Sequence, residues 1–92
     1  MFYLVCFDIV EDRKRTRVVK IIKQYGHRVQ KSVFECSRMT EEQFLKMIRR
    51  LENIIDHTRD SVRYYPLCKG CLNKVEFSGI GEVPREILFA VI

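Results

Sequence analysis

An unbroken apolar run near the start of the chain places the strongest constraint on its fold. Residues 2–7 (FYLVCF) are all aliphatic, aromatic or cysteine, and the run ends at Asp8. A continuous run of this length is typical of a strand that is covered on both faces of its sheet. Asp8 is therefore expected where the strand leaves the core. Its carboxylate has two interpretations: it begins a turn, or it holds a divalent metal ion against a phosphate.

A cluster of cations follows this strand. Between Arg13 and Lys31 the chain carries eight of its 17 lysines and arginines and no acidic residue, and its net charge is +5. This distribution predicts a surface that faces phosphate groups, while the alternative is a solvated turn. The candidate contacts to nucleic acid are Arg13, Lys14, Arg15, Arg17, Arg28 and Lys31.

The same stretch has the apolar period of a helix. The stripe consists of Val18, Ile21, Ile22 and Tyr25. Asp12 is expected as the N-cap, and Gly26 as a left-handed residue after the helix end. Lys14 and Arg15 fall in the first turn on the apolar side, which should approach the end of the first strand. Because cations there oppose the helix dipole, we expect this pair to serve binding rather than stability.

Further elements follow at short intervals. Residues 27–36 (HRVQKSVFEC) predict one bent strand or two short paired strands, because the alternation slips near residue 31. Thr40 and Gln43 form a capping box that opens a second amphipathic helix. A third strand segment is predicted over residues 61–67, where Pro66 closes it.

The end of the chain is less regular. Cys68 to Cys71 predicts a turn, and residues 74–78 alternate as an additional short strand. An apolar hexad occupies residues 87–92. It could pack on its own chain, on a dimer partner or on another protein.

The order of these elements indicates an α+β fold, a ferredoxin-like βαββαβ sandwich with an additional C-terminal strand. A chain of 92 residues forms one small domain. Residues 1–79 are assigned to this domain and residues 80–92 to a tail. Both helices should cover one face of the antiparallel sheet, so the other face is left without a cover. An uncovered apolar face predicts a two-fold homodimer.

The four cysteines are expected as thiols. The chain shows no charged leader and no apolar run near 18 residues, so we expect a cytoplasmic protein without a membrane span. Thiols persist in that compartment. Cys68 and Cys71 have the spacing of half a zinc site, but a structural zinc ion is the disfavoured interpretation. The possible further ligands are Cys6, Cys36, His27 and His57.

Several ordered motifs resemble one family. Asp8 after the first strand, Arg15 and Arg17 at the helix start, HRVQKSVFEC and SVRYYPLCKGC are together similar to the CRISPR-associated protein two family. Its members are small dimeric endonucleases of the spacer-acquisition machinery. The resemblance covers about residues 1–79, which it implies are a nuclease domain.

The resemblance also implies the site. Asp8 of each subunit would be the catalytic residue and would bind Mg²⁺ near the two-fold axis. The reaction would be metal-dependent hydrolysis of phosphodiester bonds in RNA or double-stranded DNA, with the CRISPR integrase as a partner. Residues that would lie next to the site are Phe7, Ser32 and Phe34. Two positions depart from the family: Phe7 stands where tyrosine is common, and Lys31 where an aromatic residue is frequent.

Three hypotheses follow. The first is the metal-dependent endonuclease. The second is a non-catalytic dimeric scaffold that binds DNA and bridges integrase subunits, since a basic stretch can grip a duplex without reading its sequence. The third, a reader of single-stranded RNA, is disfavoured because the chain lacks the Lys/Arg-Gly-Phe-Gly-Phe element of that module.

Overall fold

One antiparallel sheet organises the chain. The structure is a computed structural model, and it describes residues 1–76 and residue 78. The elements of this part are β1 (Phe2–Asp8), α1 (Asp12–Ile22), β2 (His27–Gln30), β3 (Val33–Cys36), α2 (Glu41–Glu52), β4 (Ser61–Leu67) and α3 (Lys69–Leu72). The strand order is β2-β3-β1-β4, and every neighbouring pair is antiparallel. This order confirms the predicted ferredoxin-like α+β fold.

The core lies between the sheet and the two long helices. Val5 of β1 is opposite Phe34 of β3, and neither is exposed to solvent. The helices contribute the residues that the sequence stripes predicted, with Val18, Ile22, Met47 and Leu51 fully buried. Each large side chain buried in this way stabilises the fold by about 1.5–3 kcal/mol.

An aromatic cluster joins α2 to the sheet. The ring of Phe44 stacks on Tyr3 of β1, with centroids 3.9 Å apart, and meets Tyr64 of β4 edge-on at 5.5 Å. Burial raises the pKa of Tyr64 to about 12. The helix start beside this cluster is fixed by the predicted capping box, in which Thr40 and Gln43 each bond the other's backbone.

Two expectations for α1 are wrong. The N-cap is Glu11 rather than Asp12, and its side chain makes no capping hydrogen bond. Gly26 is not left-handed. Instead β3 passes so close that a Cβ at Gly26 would lie 2.3 Å from the Glu35 carbonyl oxygen and 2.8 Å from the Cα of Cys36. The glycine is therefore required by the close approach of a strand rather than by a left-handed turn.

The hairpin at residues 27–36 takes one of the two predicted forms. It consists of two short paired strands, β2 and β3, whose register shifts between Arg28 and Gln30. This shift is the irregularity that the broken alternation indicated.

The region after β4 differs from the prediction. The predicted turn at residues 68–71 is largely the short helix α3, whose Leu72 packs on Phe2 and Leu67. The predicted strand over residues 74–78 does not form at residues 74–76. There the amides of Lys74 and Val75 donate back to Cys71 and Leu72, both at 3.1 Å, and so are taken by a local turn. The tail at residues 80–92 lies outside the described residues.

The sheet face opposite the helices is largely open in the described part of the chain. Phe2 is buried beneath α3, but Leu4 and Cys6 are only half-buried and Asp8 is exposed. The expectation that β1 is covered on both faces therefore holds only at its first residue. Among the described residues, none of the helices is long and apolar enough to span a membrane.

Candidate functional site

The carboxylate of Asp8 lies at the end of β1 on the open face. Phe7 points to the core, so strand alternation turns Asp8 the other way. The side chain is exposed and lines a shallow depression together with Cys6, Phe7, Ser61 and Arg63. Within residues 1–76 it makes no hydrogen bond or ion pair, so it is free to bind a ligand.

Two polar residues of this depression, Ser61 and Arg63, escaped the sequence prediction. In the pairing of β1 with β4, Asp8 is opposite Ser61 and Cys6 is opposite Arg63. Paired residues share a face, so Arg63 and Asp8 lie on the same side of the sheet. The alternation of Val62 and Tyr64 towards the core was a signal that Arg63 faces outwards. Only the register brings it beside the acid.

One chain alone does not complete a metal site. No group of three or more histidine, cysteine, aspartate or glutamate side chains that could hold a metal ion occurs among the described residues. The donors at the depression are the Asp8 carboxylate and the Ser61 hydroxyl, which are hard oxygen groups of the kind that Mg²⁺ prefers. The donor chemistry therefore fits magnesium, but further ligands must come from a second copy, a phosphate or water.

The guanidinium of Arg15 is held at the loop after β1. Its Nη2 and Nε donate to the carbonyl oxygen of Ile9 at 2.9 and 3.2 Å, and Nη2 also reaches that of Val10 at 3.3 Å. Its Nη1 forms an ion pair with Asp12 at 2.5 Å. Arg15 does lie beside the end of the first strand, as predicted, but it also serves the fold, contrary to the expectation.

The β2–β3 hairpin reaches the site through its backbone. The Phe7 amide donates to the Ser32 carbonyl at 3.1 Å, so Ser32 lies beside the residue that precedes Asp8. Phe34 is fully buried, with its ring 6.1 Å from that of Phe7. Both phenyl rings therefore serve the core beneath the site.

The two hairpin cations are linked to one another. Arg28 donates from Nε and Nη2 to the Lys31 carbonyl at 3.0 and 2.6 Å, and lies 5.7 Å from the Phe34 ring centre. The guanidinium thus fixes the turn, while the exposed Lys31 side chain extends from it.

Comparison with known proteins identifies the family of the chain. The family model for CRISPR associated protein Cas2 matches residues 1–75. The chain belongs to the Cas2 family. It is 41% identical over 81 residues to a CRISPR-associated endoribonuclease Cas2 of Chloroflexus aurantiacus, covering 88% of this chain and 86% of that protein. The resemblance drawn from the motifs is confirmed.

Solved structures support the fold of this Cas2-family chain. Streptococcus pyogenes Cas2 superposes with a TM-score of 0.75 and 39% identity, covering 86% of this chain and all of that one. A chain in a partial Cas6-RT-Cas1–Cas2 complex gives a TM-score of 0.73 and 29% identity, covering 90% and 93%.

The loop before β4 contacts the start of α1 in this Cas2-family chain. Asp60 accepts hydrogen bonds from the amides of Val10 at 3.0 Å and Asp56 at 2.8 Å, and these bonds lower its pKa. Hydrogen bonds from Thr58 likewise lower the pKa of Asp56. The charge of Lys14 acts in the same direction on both carboxyl groups, so Lys14 faces this loop.

The remaining basic residues of α1 are exposed. Arg13, Lys20 and Lys23 lie on the helix face opposite Val18 and Ile22, away from the sheet. Arg17 lies on the flank of the helix. The structure therefore separates Arg13 from Asp8, because they lie on opposite sides of the sheet, whereas Arg15 and Ser32 bond the backbone of the residues on either side of the acid.

Proposed function

We propose that this chain is a magnesium-dependent endonuclease of CRISPR spacer acquisition, which hydrolyses phosphodiester bonds in RNA or double-stranded DNA. The observation that carries the proposal is the exposed carboxylate of Asp8, free of partners in residues 1–76, beside Arg63 on an uncovered sheet face. The endoribonuclease name of the Chloroflexus relative supports a nuclease role.

The active unit in this proposal is a two-fold homodimer. One chain supplies one carboxylate to the depression, so a second ligand of the same kind requires a second copy. Pairing through the open face would cover Leu4, Cys6 and Tyr65, of which Tyr65 is 44% exposed. Two Asp8 carboxylates brought near one axis repel each other unless a cation lies between them.

Three side chains of this chain would have separate roles in the reaction. Asp8 of each subunit would hold the ion, and the exposed Arg63 would bind and orient the phosphate as a charge-assisted donor. When bound, Mg²⁺ supplies a Lewis acid that polarises a phosphate oxygen and acidifies a bound water. Arg15 would act as a positioning residue, because its guanidinium fixes the two residues that follow Asp8.

The proposed partner is the CRISPR integrase. A similar chain is part of the Cas6-RT-Cas1–Cas2 complex, and the match to the present chain covers 93% of it. The basic residues of α1 and of the hairpin would contact the nucleic-acid backbone beside this partner.

The test of the catalytic role is Asp8→Asn. Purified protein is incubated with labelled RNA or duplex DNA, with Mg²⁺ or with a chelator, and the products are separated on a denaturing gel. The matched control is Glu11→Gln, an exposed acid three residues away without a capping bond. We expect Asp8→Asn to lose cleavage at least about a hundredfold while Glu11→Gln stays near wild type. Cleavage that persists in Asp8→Asn would exclude Asp8 as the catalytic ligand.

A second candidate function is the non-catalytic scaffold. It is favoured by the exposed cations of α1, which point away from the depression and need no metal to grip a duplex. In this case wild-type protein would bind duplex DNA without cleaving it, and Asp8→Asn would bind equally well. Filter binding or anisotropy beside the cleavage assay distinguishes the two functions.

A further inference from the structure

Two thiols lie together away from the proposed nuclease site. The Sγ atoms of Cys68 and Cys71 are 3.4 Å apart, and both side chains are exposed. They flank the start of α3 at the end of β4, whereas the Asp8 depression is at the opposite end of that strand, beside Ser61. The nuclease and scaffold functions leave this pair unused.

The local fold holds the two thiols in this arrangement. Cys68 is the extended N-cap residue of α3, and the amide of Leu72 donates to its carbonyl at 3.0 Å. Leu72 is 3% exposed and packs against Phe2 and Leu67, so the turn that carries Cys71 is anchored to the sheet. Gly70 does not obstruct the Cys68 sulfur, since even an added Cβ there would be 3.9 Å away from it.

We propose that Cys68 and Cys71 form a redox-active dithiol that exchanges with low-molecular-weight disulfides. A disulfide holds its sulfur atoms at about 2.05 Å, so closure requires the sulfurs to approach by about 1.4 Å. Because the pair is three residues apart on one anchored turn, the bond can form without moving the sheet.

The exchange has two steps. The thiolate of one cysteine attacks a sulfur of the small disulfide, forms a mixed disulfide and releases one small thiolate. The second cysteine then loses its proton to solvent and attacks the protein-side sulfur, which closes the protein disulfide and releases the second small thiolate. The protein dithiol is oxidised by two electrons, and the small disulfide is reduced to two thiols.

The surroundings of the thiols assign the roles. Hydrogen bonding with the Cys71 backbone lowers the pKa of Cys68, as do the contact with the Cys71 sulfur and the Gly70 backbone, while the contact between the two sulfurs raises the pKa of Cys71. Cys68 is therefore the attacking residue and Cys71 the resolving one. The other cysteines are poorer candidates: Cys36 is fully buried, with its pKa raised to about 11, and Cys6 is half-buried.

The test uses the full chain in glutathione buffers of increasing oxidised fraction. Trypsin cuts after Arg63, Lys69 and Lys74, so the cysteines fall in the separate peptides 64–69 and 70–74. After free thiols are blocked with an alkylating reagent, mass spectrometry should find these two peptides joined. Joined peptides should replace the alkylated ones in a single two-electron transition.

Two single variants separate the roles. Cys71→Ser should accumulate a glutathione mixed disulfide at Cys68, at least about tenfold more than wild type, because the resolving thiol is gone. Cys68→Ser should react more slowly at Cys71.

Three outcomes would overturn the proposal. One is a wild-type protein that accumulates as much glutathione mixed disulfide as Cys71→Ser does. Another is a wild-type protein that forms mainly links between chains. The last is that the two thiols resist alkylation until a chelator is added, which would indicate that they bind a metal ion rather than form a disulfide.

Discussion

Two nitrogen atoms of Arg15 donate hydrogen bonds to the carbonyl oxygen of Ile9, Nη2 at 2.9 Å and Nε at 3.2 Å. This contact ties the first turn of α1 to the residue that follows Asp8. A cation at this position opposes the helix dipole, but here its hydrogen bonds satisfy backbone acceptors of the loop, so it has a reason in the fold. The direction of β1 at its exit therefore depends on a side chain of α1, six residues further along the chain, as well as on the loop itself.

Replacing Arg15 should weaken the fold. We expect Arg15→Ala to lower the free energy of unfolding by about 1–2 kcal/mol, because the Ile9 carbonyl loses its charged donor. Urea denaturation followed by circular dichroism measures the change. Arg13→Ala is the matched control, since the Arg13 side chain is exposed and makes no hydrogen bond within residues 1–76, and this variant should stay within about 0.5 kcal/mol of wild type. Equal losses in the two variants would contradict a structural role for Arg15.

Two glycines should respond oppositely to alanine. A Cβ at Gly26 meets backbone atoms of β3 at 2.3 and 2.8 Å, so Gly26→Ala should cost about 3 kcal/mol or more. Gly70→Ala is the control, because the nearest atom would be 3.9 Å away and alanine favours a helical position. Thermal or urea unfolding measures both variants. A Gly26→Ala protein as stable as wild type would mean that β3 passes further away.

Removing Arg17 should change the salt dependence of duplex binding. Each phosphate contact contributes about 0.9 to the slope of log K against log salt, so Arg17→Ala should lower the slope by about one per subunit. Fluorescence anisotropy at several salt concentrations gives the slope. Lys46→Ala, which removes an exposed cation of α2, should leave it unchanged. If the Arg17 slope also stays the same, Arg17 does not touch phosphate.

Acid should destabilise the loop that Asp60 holds. The amides of Val10 and Asp56 favour the ionised carboxylate, so the pKa of Asp60 is lower in the folded chain than in the unfolded one. This contribution to stability is present above the pKa of the unfolded chain, about 3.9, and is lost as the pH falls through the lower pKa of the folded chain. Asp60→Asn should flatten this part of the profile of urea midpoint against pH. A profile of the same steepness in the variant would show that other groups cause the acid loss.

Local patterns predicted the elements whose causes are local. The capping box of Thr40 and Gln43 and the apolar stripe around Val18 and Ile22 follow from helix geometry, and both were found where expected. The helix N-cap was one residue off, because Glu11 takes the position without using its side chain. The predicted strand at residues 74–78 failed at 74–76 because turn bonds after α3 take the amides it needed.

Contacts between distant segments could not be derived in this way. Asp8 was identified from the end of its strand, but Arg63 joins it only through the register of β1 with β4. The need for Gly26 likewise arises from β3, nine residues further along the chain. The sequence identified the acid and the basic stretch, but not which cation shares the face of the acid.

The middle position of β1 has a consequence for motion. With β3 on one side and β4 on the other, the strand that carries Asp8 has hydrogen-bonded neighbours along both edges for most of its length. Its amide hydrogens should exchange with deuterium among the slowest in the molecule. Most of β1 cannot therefore shift within its sheet, so in the proposed dimer a large change in the distance between the two Asp8 carboxylates would need whole subunits to rotate.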